Sequence, residues 1–278
     1  MKTLKRLLKN FAFTAGLILT VVLIVIALAA PLIAPRDPNV QETSRRLEAP
    51  SRQHILGLDD LGRDVFSRIV WGARVSLRVG FSVVLLASIV GVTLGAISGY
   101  FGGWADLLVM RLCDILLAFP GILLAIALVA VLGPSLNNVI LALATIGWVG
   151  YARLVRGQVL KVREMEYVTA AKAMGARSPR VIALHVLPNV INPVIVMATL
   201  GLAGAILSEA ALSFLGLGVQ PPTPSWGAML TAGRRYLGLA NHLAIFPGAA
   251  IMLAVMGLNF LGDGLIDALD PKYRKQLG

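Results

Sequence analysis

Five uninterrupted runs without a charged side chain constrain this chain more than any other feature. They cover residues 10–35, 79–105, 115–152, 181–208 and 236–262 of a 278-residue sequence. Ions are expensive in hydrocarbon, and one helical crossing of a bilayer takes about 20 apolar residues. The 38 residues between Asp114 and Arg153 suffice for two crossings. Gly133-Pro134-Ser135, followed by Asn137-Asn138, supplies the turn between them. The chain therefore reads as an all-α integral membrane protein with six transmembrane helices, near 11–33, 79–100, 111–132, 137–153, 190–216 and 244–264. The first run begins like a cleavable signal, with Lys2, Lys5, Arg6 and Lys9 ahead of it and Ala27-Leu28-Ala29 near its end. Its apolar stretch, 11–30, exceeds the roughly 7–15 residues of a signal core, which favours a retained anchor.

Composition excludes the main soluble classes. Hydrophobic residues make up 57% and charged residues 14%, against about 45–50% and 25% in soluble domains. With Cys113 the single cysteine, no intrachain disulfide exists, and the side chain reads as an apolar filler. The formal charge of +11 would suit nucleic acid, but basic loops beside membrane spans account for it without any. With the N-terminus inside, inner segments carry 15 Lys and Arg and outer segments 10. The inner loop 151–188 alone holds seven, which sets both termini on the cytoplasmic side.

Two segments are then external. In 34–78, the run Asp59-Asp60-Leu61-Gly62-Arg63-Asp64 forms a turn that opens a short helix, one that could lie on the membrane surface before the second span. In 217–243, Pro221-Pro222-Thr223-Pro224 forbids regular structure. Trp104, Trp148, Trp226 and Tyr236 fall near predicted span ends, as interfacial aromatics do.

The inner loop carries the sharpest pattern. Glu164 to Met174 contains three alanines and no breaker, so a helix is expected. Gly175 stops it in a positive-φ conformation, and Ser178-Pro179 caps and starts a second helix that runs into Leu187-Pro188 and the fifth span. Ala170, Ala171 and Ala173 permit close approach of another backbone. Met165, Val168 and Met174 offer apolar knobs, with Glu164, Glu166 and Lys172 as a polar rim. Such an elbow suits a groove in a partner protein; a solvated hairpin joining two spans is the plainer reading.

The spacing of Ala170-Ala171, Gly175, His185 and Leu187-Pro188 resembles the EAA loop of ABC importer permeases. Thr169 stands where the general motif has Glu and His185 where it has Ile. Both fit the dipeptide/oligopeptide/nickel permeases. So do residues 54–59, 61–68 and 74–77, the stretch 209–218, Ser225-Trp226-Gly227 and Asp270-Pro271. The first span and the Gly-Arg-Asp loop are similar to those of the C-type member of a permease pair, and the resemblance runs from residue 15 to 272.

The resemblance implies a type I ABC importer permease bundle with a cytoplasmic coupling helix, multi-pass in the plasma (inner) membrane. Residues 1–78 would be the N-terminal tail, first span and external loop, and 79–278 a five-helix core with the coupling loop at about 161–189. The implied partners are a homologous B-type permease subunit, two ABC ATPase subunits, an extracytoplasmic solute-binding protein and lipid, with no nucleic acid. The implied cargo is di- or oligopeptides, with nickel or a related small solute as the other possibility in the family. Glu164, Glu166, Tyr167, Ala170, Ala171, Gly175, Leu187 and Pro188 would couple to the ATPase. The chain would be a non-catalytic subunit without cofactor, ATP and Mg residing on the ATPases. In agreement, none of the 28 glycines precedes a lysine, so a phosphate loop is missing.

Ionisable groups within spans are functional candidates by default. Glu209 and Asn192 are pathway or inter-subunit candidates, although Glu209 would also serve as a hydrogen-bond anchor to a neighbouring helix. Arg111 and Asp114, three residues apart, can pair. His54, His185 and His242 are isolated and fit no metal motif. An ion-coupled secondary transporter is the competing class, but it calls for several mid-membrane acids or broken helices. A membrane hydrolase needs its acids or histidine at one depth.

Overall fold

The computed structural model describes residues 10–269. Lys2, Lys5, Arg6, Lys9 and Asp270-Pro271 lie outside the described residues. Within them every regular element is helical. Helices α1 (Phe11–Leu28) and α2 (Ala30–Ile33) precede a long loop. They are followed by α3 (Val65–Phe101), α4 (Gly103–Leu117), α5 (Gly121–Leu132), α6 (Leu136–Val162), α7 (Glu166–Ala173), α8 (Ser178–Val181), α9 (Leu187–Phe214), α10 (Trp226–Gly233) and α11 (His242–Leu269). Five helical stretches are long and apolar enough to span a membrane, and α4 and α5 pass the same test together as a bent pair, giving up to six. The expected six-span organisation stands, with four revisions.

The external helix is not separate from the second span. Asp64 caps α3, its Oδ2 accepting from the Ser67 amide at 2.8 Å, and the helix then continues for 37 residues. At 1.5 Å per residue that is about 55 Å, well beyond a hydrocarbon core of about 30 Å. Arg68, Arg74 and Arg78 thus ride on the part that projects from the membrane, rather than on a surface-lying piece.

The third span begins earlier than 111 and bends by 87°. Pro120 lacks an amide hydrogen and disfavours helical backbone at Phe119, so the helix breaks there. Arg111 Nη1 pairs with Asp114 Oδ2 at 4.0 Å as expected, and Arg153 Nη2 donates to Asp114 Oδ1 at 2.6 Å.

The interfacial aromatics divide. Trp104 is exposed, whereas Trp148 and Trp226 are buried in protein. Trp226 Nε1 donates to the Ile69 carbonyl at 3.0 Å, and its ring fills the space beside Gly72.

The fourth span runs on to Val162, nine residues past its expected end at 153, while the turn before it is as read. Gly133 has φ +88°, Ser135 Oγ accepts from the Asn138 amide at 3.2 Å, and Asn138 Nδ2 donates to the carbonyls of Leu132 and Gly133.

Glycine lets helices approach closely. In α1 and α11, a Cβ at Gly16 would lie 2.3 Å from the Leu261 amide and one at Gly264 2.5 Å from Phe13 Cβ. Asn10 Nδ2 donates to Asp267 Oδ2 at 2.9 Å, so the described ends lie on the same side. Loops 34–64 and 217–241 cap the opposite side, where the Arg36 amide donates to Ser67 Oγ at 3.3 Å. Single cysteines at Ser51 and Thr223 should react with an impermeant thiol reagent applied to intact cells, and one at Ser178 should not. Labelling at Ser178 would reverse the orientation.

Candidate functional site

The elbow between α6 and α9 is built as a stiff bracket. At the end of α6, Arg163 Nη1 donates to the Gly99 carbonyl at 2.9 Å, fastening the turn to α3. Just inside, Asp106 of α4 takes both Arg156 Nε and Nη2 from α6 and also Ser98 Oγ from α3. Three helices are thus joined at one carboxylate beneath the elbow.

Helix α7 begins at Glu166, with Met165 as its cap, so Glu164 falls in the preceding turn and pairs with Arg163 at 2.9 Å. The stop is as expected. Gly175 has φ +83°, its amide donates to the Lys172 carbonyl at 2.9 Å, and the Ala176 amide to that of Ala171 at 3.1 Å. These two bonds make a Schellman closure, which satisfies carbonyls otherwise left open at a helix end. A Cβ at Gly175 would meet nothing within 4 Å, so backbone conformation alone demands glycine there.

The second arm differs from the expected simple helix. Arg177, not Ser178, occupies the cap position of α8. Residues Ile182–Val186 form a turn of π-helix, with the Leu187 amide bonded back to Ile182. Pro188 has no amide hydrogen, and its ring would clash with the carbonyl four residues back. The wider π turn absorbs the conflict, and Asn189 Nδ2 takes the His185 carbonyl at 2.8 Å. The arm passes unbroken into α9, giving a 37-residue lever from Ser178 to Phe214.

The faces of α7 correct one expectation. Val168 and Ala171 are turned into the chain's own interior, at 0% and 3% exposure, Val168 within a cluster that includes Val159, Val181 and Val186. Ala171 is therefore unavailable to a partner, and so is the Val168 knob. Adjacent residues on a helix sit about 100° apart, so Ala170 and Ala171 do not share a face. The free face carries Glu166, Tyr167, Ala170 and Met174, the last 82% exposed, with Met165 beside them. Lys172 Nζ lies 4.9 Å from the Tyr100 ring centre, and Tyr167 and His185 rings are 6.5 Å apart. Leu187 is half-buried and Pro188 exposed, at the start of α9.

The two membrane candidates separate. Asn192 is exposed on α9. Glu209 is fully buried, and its Oε1 accepts from Ser213 Oγ at 2.6 Å. It sits where Gly227 of α10 packs on Ala210; the Ser213 bond lies within its own helix, and its Oε2 is buried without a hydrogen bond.

The sequence reading missed Gly91, Gly95 and Gly99, which line the α3 face against α6. A Cβ at Gly95 would lie 2.5 Å from the Ala152 carbonyl oxygen. Their four-residue spacing is the small-residue signal of close helix pairs in membranes, and it was there to be read.

A family model described as "Binding-protein-dependent transport system inner membrane component" matches residues 91–275, and one described as "N-terminal TM domain of oligopeptide transport permease C" matches 2–50. The chain is 52% identical over 270 residues to the dipeptide transport system permease protein DppC of Alkalihalophilus pseudofirmus, covering 97% of this chain and 89% of that protein. It is 45% identical over 271 residues to the glutathione transport system permease protein GsiD of Pectobacterium atrosepticum, covering 97% and 90%. With the corresponding protein of Escherichia coli O157:H7 the identity is 46% over 267 residues, covering 96% and 88%.

Proposed function

The chain belongs to the family of binding-protein-dependent transport system inner membrane components, and from that premise we propose that it forms half of the translocation pathway of an ATP-driven importer of short peptides. The observation that carries the substrate is the 52% identity, over nearly the whole chain, to a dipeptide transport permease. A homologous B-type permease would supply the other half of the path, and an extracytoplasmic solute-binding protein would deliver the peptide. Two ATPase subunits would hold ATP and Mg, since this chain lacks a phosphate loop.

The elbow is the coupling element in this reading. Its free face, Tyr167, Ala170 and Met174, docks in a cleft of an ATPase, with Glu164 and Glu166 at the rim. ATP-driven closure of the two ATPases moves the docked α7. The Schellman closure at Gly175 and the unbroken passage through the π turn carry that displacement into α9 rather than dissipating it in a loop. Fastening of the turn to Gly99 and of α6 to Asp106 carries it into α3 and α4. The bundle then rocks between inward- and outward-facing states as a rigid body.

The assembled transporter in proteoliposomes should take up a labelled dipeptide only with ATP and binding protein present, and the purified chain alone should hydrolyse none. Uptake by the chain alone, driven by an ion gradient without ATP, would instead establish a secondary transporter.

A further inference from the structure

Helix α4 does not run with the bundle. From Asp106, which takes Arg156, to Asp114, which takes Arg153, it advances eight residues, about 12 Å, while the partners on α6 shift by three, about 4.5 Å. It therefore runs mostly across α6. Helix α5 runs along α6 instead: a Cβ at Gly121 would stand 3.5 Å from Ile146 Cγ2, and Ala125 and Val129 share a cluster with Val139 and Ala142. Between α4 and α5 the axis turns by 87°. Since α6 crosses the membrane, α4 lies along its surface, on the side of the elbow.

The buried side of α4 carries Val109 and Cys113. Its outward side carries Trp104, Leu107, Leu108, Leu112 and Ile115, all exposed, with Arg111 among them. At 100° per residue these six fall within roughly 140° of arc, and Arg111 stands near the middle. The Arg111 side chain is 72% exposed and reaches Asp114 Oδ2 only at 4.0 Å, without a hydrogen bond. Asp114 is already served by Arg153 at 2.6 Å. Two cations thus face one anion, which leaves one net positive charge and an open guanidinium. An arginine ringed by exposed leucines suits neither bulk water nor hydrocarbon. It suits their boundary, where phosphates stand above acyl chains. Trp104, 79% exposed at the start of the same face, is the residue type that settles at that level.

We propose that α4 seats an anionic phospholipid, its phosphodiester on the Arg111 guanidinium and its acyl chains against Leu108, Leu112 and Ile115. The planar guanidinium matches two phosphate oxygens at once. An anionic headgroup cancels the one net charge, whereas a zwitterionic headgroup brings an ammonium of its own and leaves it standing. Asp106 of the same helix holds Arg156 of α6 and Ser98 of α3 beneath the elbow, so a lipid held here braces the root of the elbow against the bilayer. The site holds whatever cargo is carried.

The test uses the assembled transporter in nanodiscs, with a bimane fluorophore on Leu108→Cys in a background whose other reactive cysteines are replaced. Quenching is measured with brominated phosphatidylglycerol and brominated phosphatidylcholine, each diluted into its unbrominated counterpart and into the other lipid. Phosphatidylglycerol should be preferred at this position at least fivefold. Arg111→Gln should bring the preference close to one, and Asp114 keeps Arg153 in that variant, so the fold is spared. Arg74→Gln, which removes an exposed cation from the other end of the bundle, should leave the preference unchanged. On the unsubstituted Arg111 chain the preference should also fall as salt is raised, a measurement that needs no change at the site. Quenching by neither lipid would mean that the second permease or water covers this face. Equal quenching by both, or a preference that survives Arg111→Gln and high salt, would mean that no phosphate sits on Arg111. Each of these outcomes overturns the proposal.

Discussion

Leucine in place of Gly95 should reduce the folded chain recovered from membranes to less than a tenth of the normal amount. Gly91, Gly95 and Gly99 place bare backbone of α3 against α6. An added Cβ would lie 2.5 Å from the Trp148 oxygen at Gly91, 2.5 Å from the Ala152 oxygen at Gly95 and 2.9 Å from Val159 Cβ at Gly99. Overpacking a core costs about 1–3 kcal/mol when side chains can give way. At Gly95 the obstacle is backbone of the facing helix, so the helices must part. Lipid is as apolar as their side chains, so little besides close packing holds them together. Parting α3 from α6 also loosens the Asp106–Arg156 and Arg163–Gly99 ties below. Gly157→Leu, on α6 where an added Cβ meets nothing within 4 Å, is the control and should be tolerated. Size-exclusion profiles and melting curves in detergent read both variants. A monodisperse Gly95→Leu chain with an unchanged melting temperature would show that the pair is not held by this contact.

Much of this architecture was legible because one physical term dominates it. Charges are excluded from hydrocarbon, so charge-free runs mark the spans. The same rule explains where the reading failed. It marks the embedded part of a helix and says nothing about where the helix ends. The start of α3 at Val65 and the end of α6 at Val162 were therefore missed: both helices run on beyond the apolar run, where the exposed Arg74 and Lys161 are permitted. The break at Pro120 was visible as a residue, but it lies inside a run that the charge rule treats as uniform. At the elbow, Gly175 was read correctly because only backbone geometry is at stake. Ala171 was misassigned because small residues suit a partner's surface and the chain's own core equally well. The deciding clue was the i,i+3 pair Val168 and Ala171, an inward stripe of a short helix. At Glu209, Ser213 one turn on satisfies one carboxylate oxygen locally.

That inward stripe decides which substitution tests coupling. Ala171→Arg would force a charge into the chain's own buried interior, where Ala171 is 3% exposed and an unpaired buried charge costs about 3–5 kcal/mol. It would unfold the elbow whether or not a partner docks there. Ala170→Arg and Met174→Glu stand on the exposed face, so the chain, its spans and its pairing with the second permease should survive both. In the assembled transporter each should lower peptide-stimulated ATP hydrolysis at least tenfold, a loss of about 1.4 kcal/mol in coupling, or release the ATPases on purification. Gly175→Val should do the same by a different route. Its Cβ meets no neighbour, but a β-branched residue at φ +83° is strained. Relaxing that strain re-aims α8 and the lever behind it while α7 keeps its sequence. Docking-face variants should therefore weaken ATPase retention, whereas Gly175→Val should retain the ATPases and lose stimulation. If Ala170→Arg and Met174→Glu left both retention and stimulated hydrolysis unchanged, the elbow would be a solvated connector between α6 and α9, and the drive to the bundle would have to enter elsewhere.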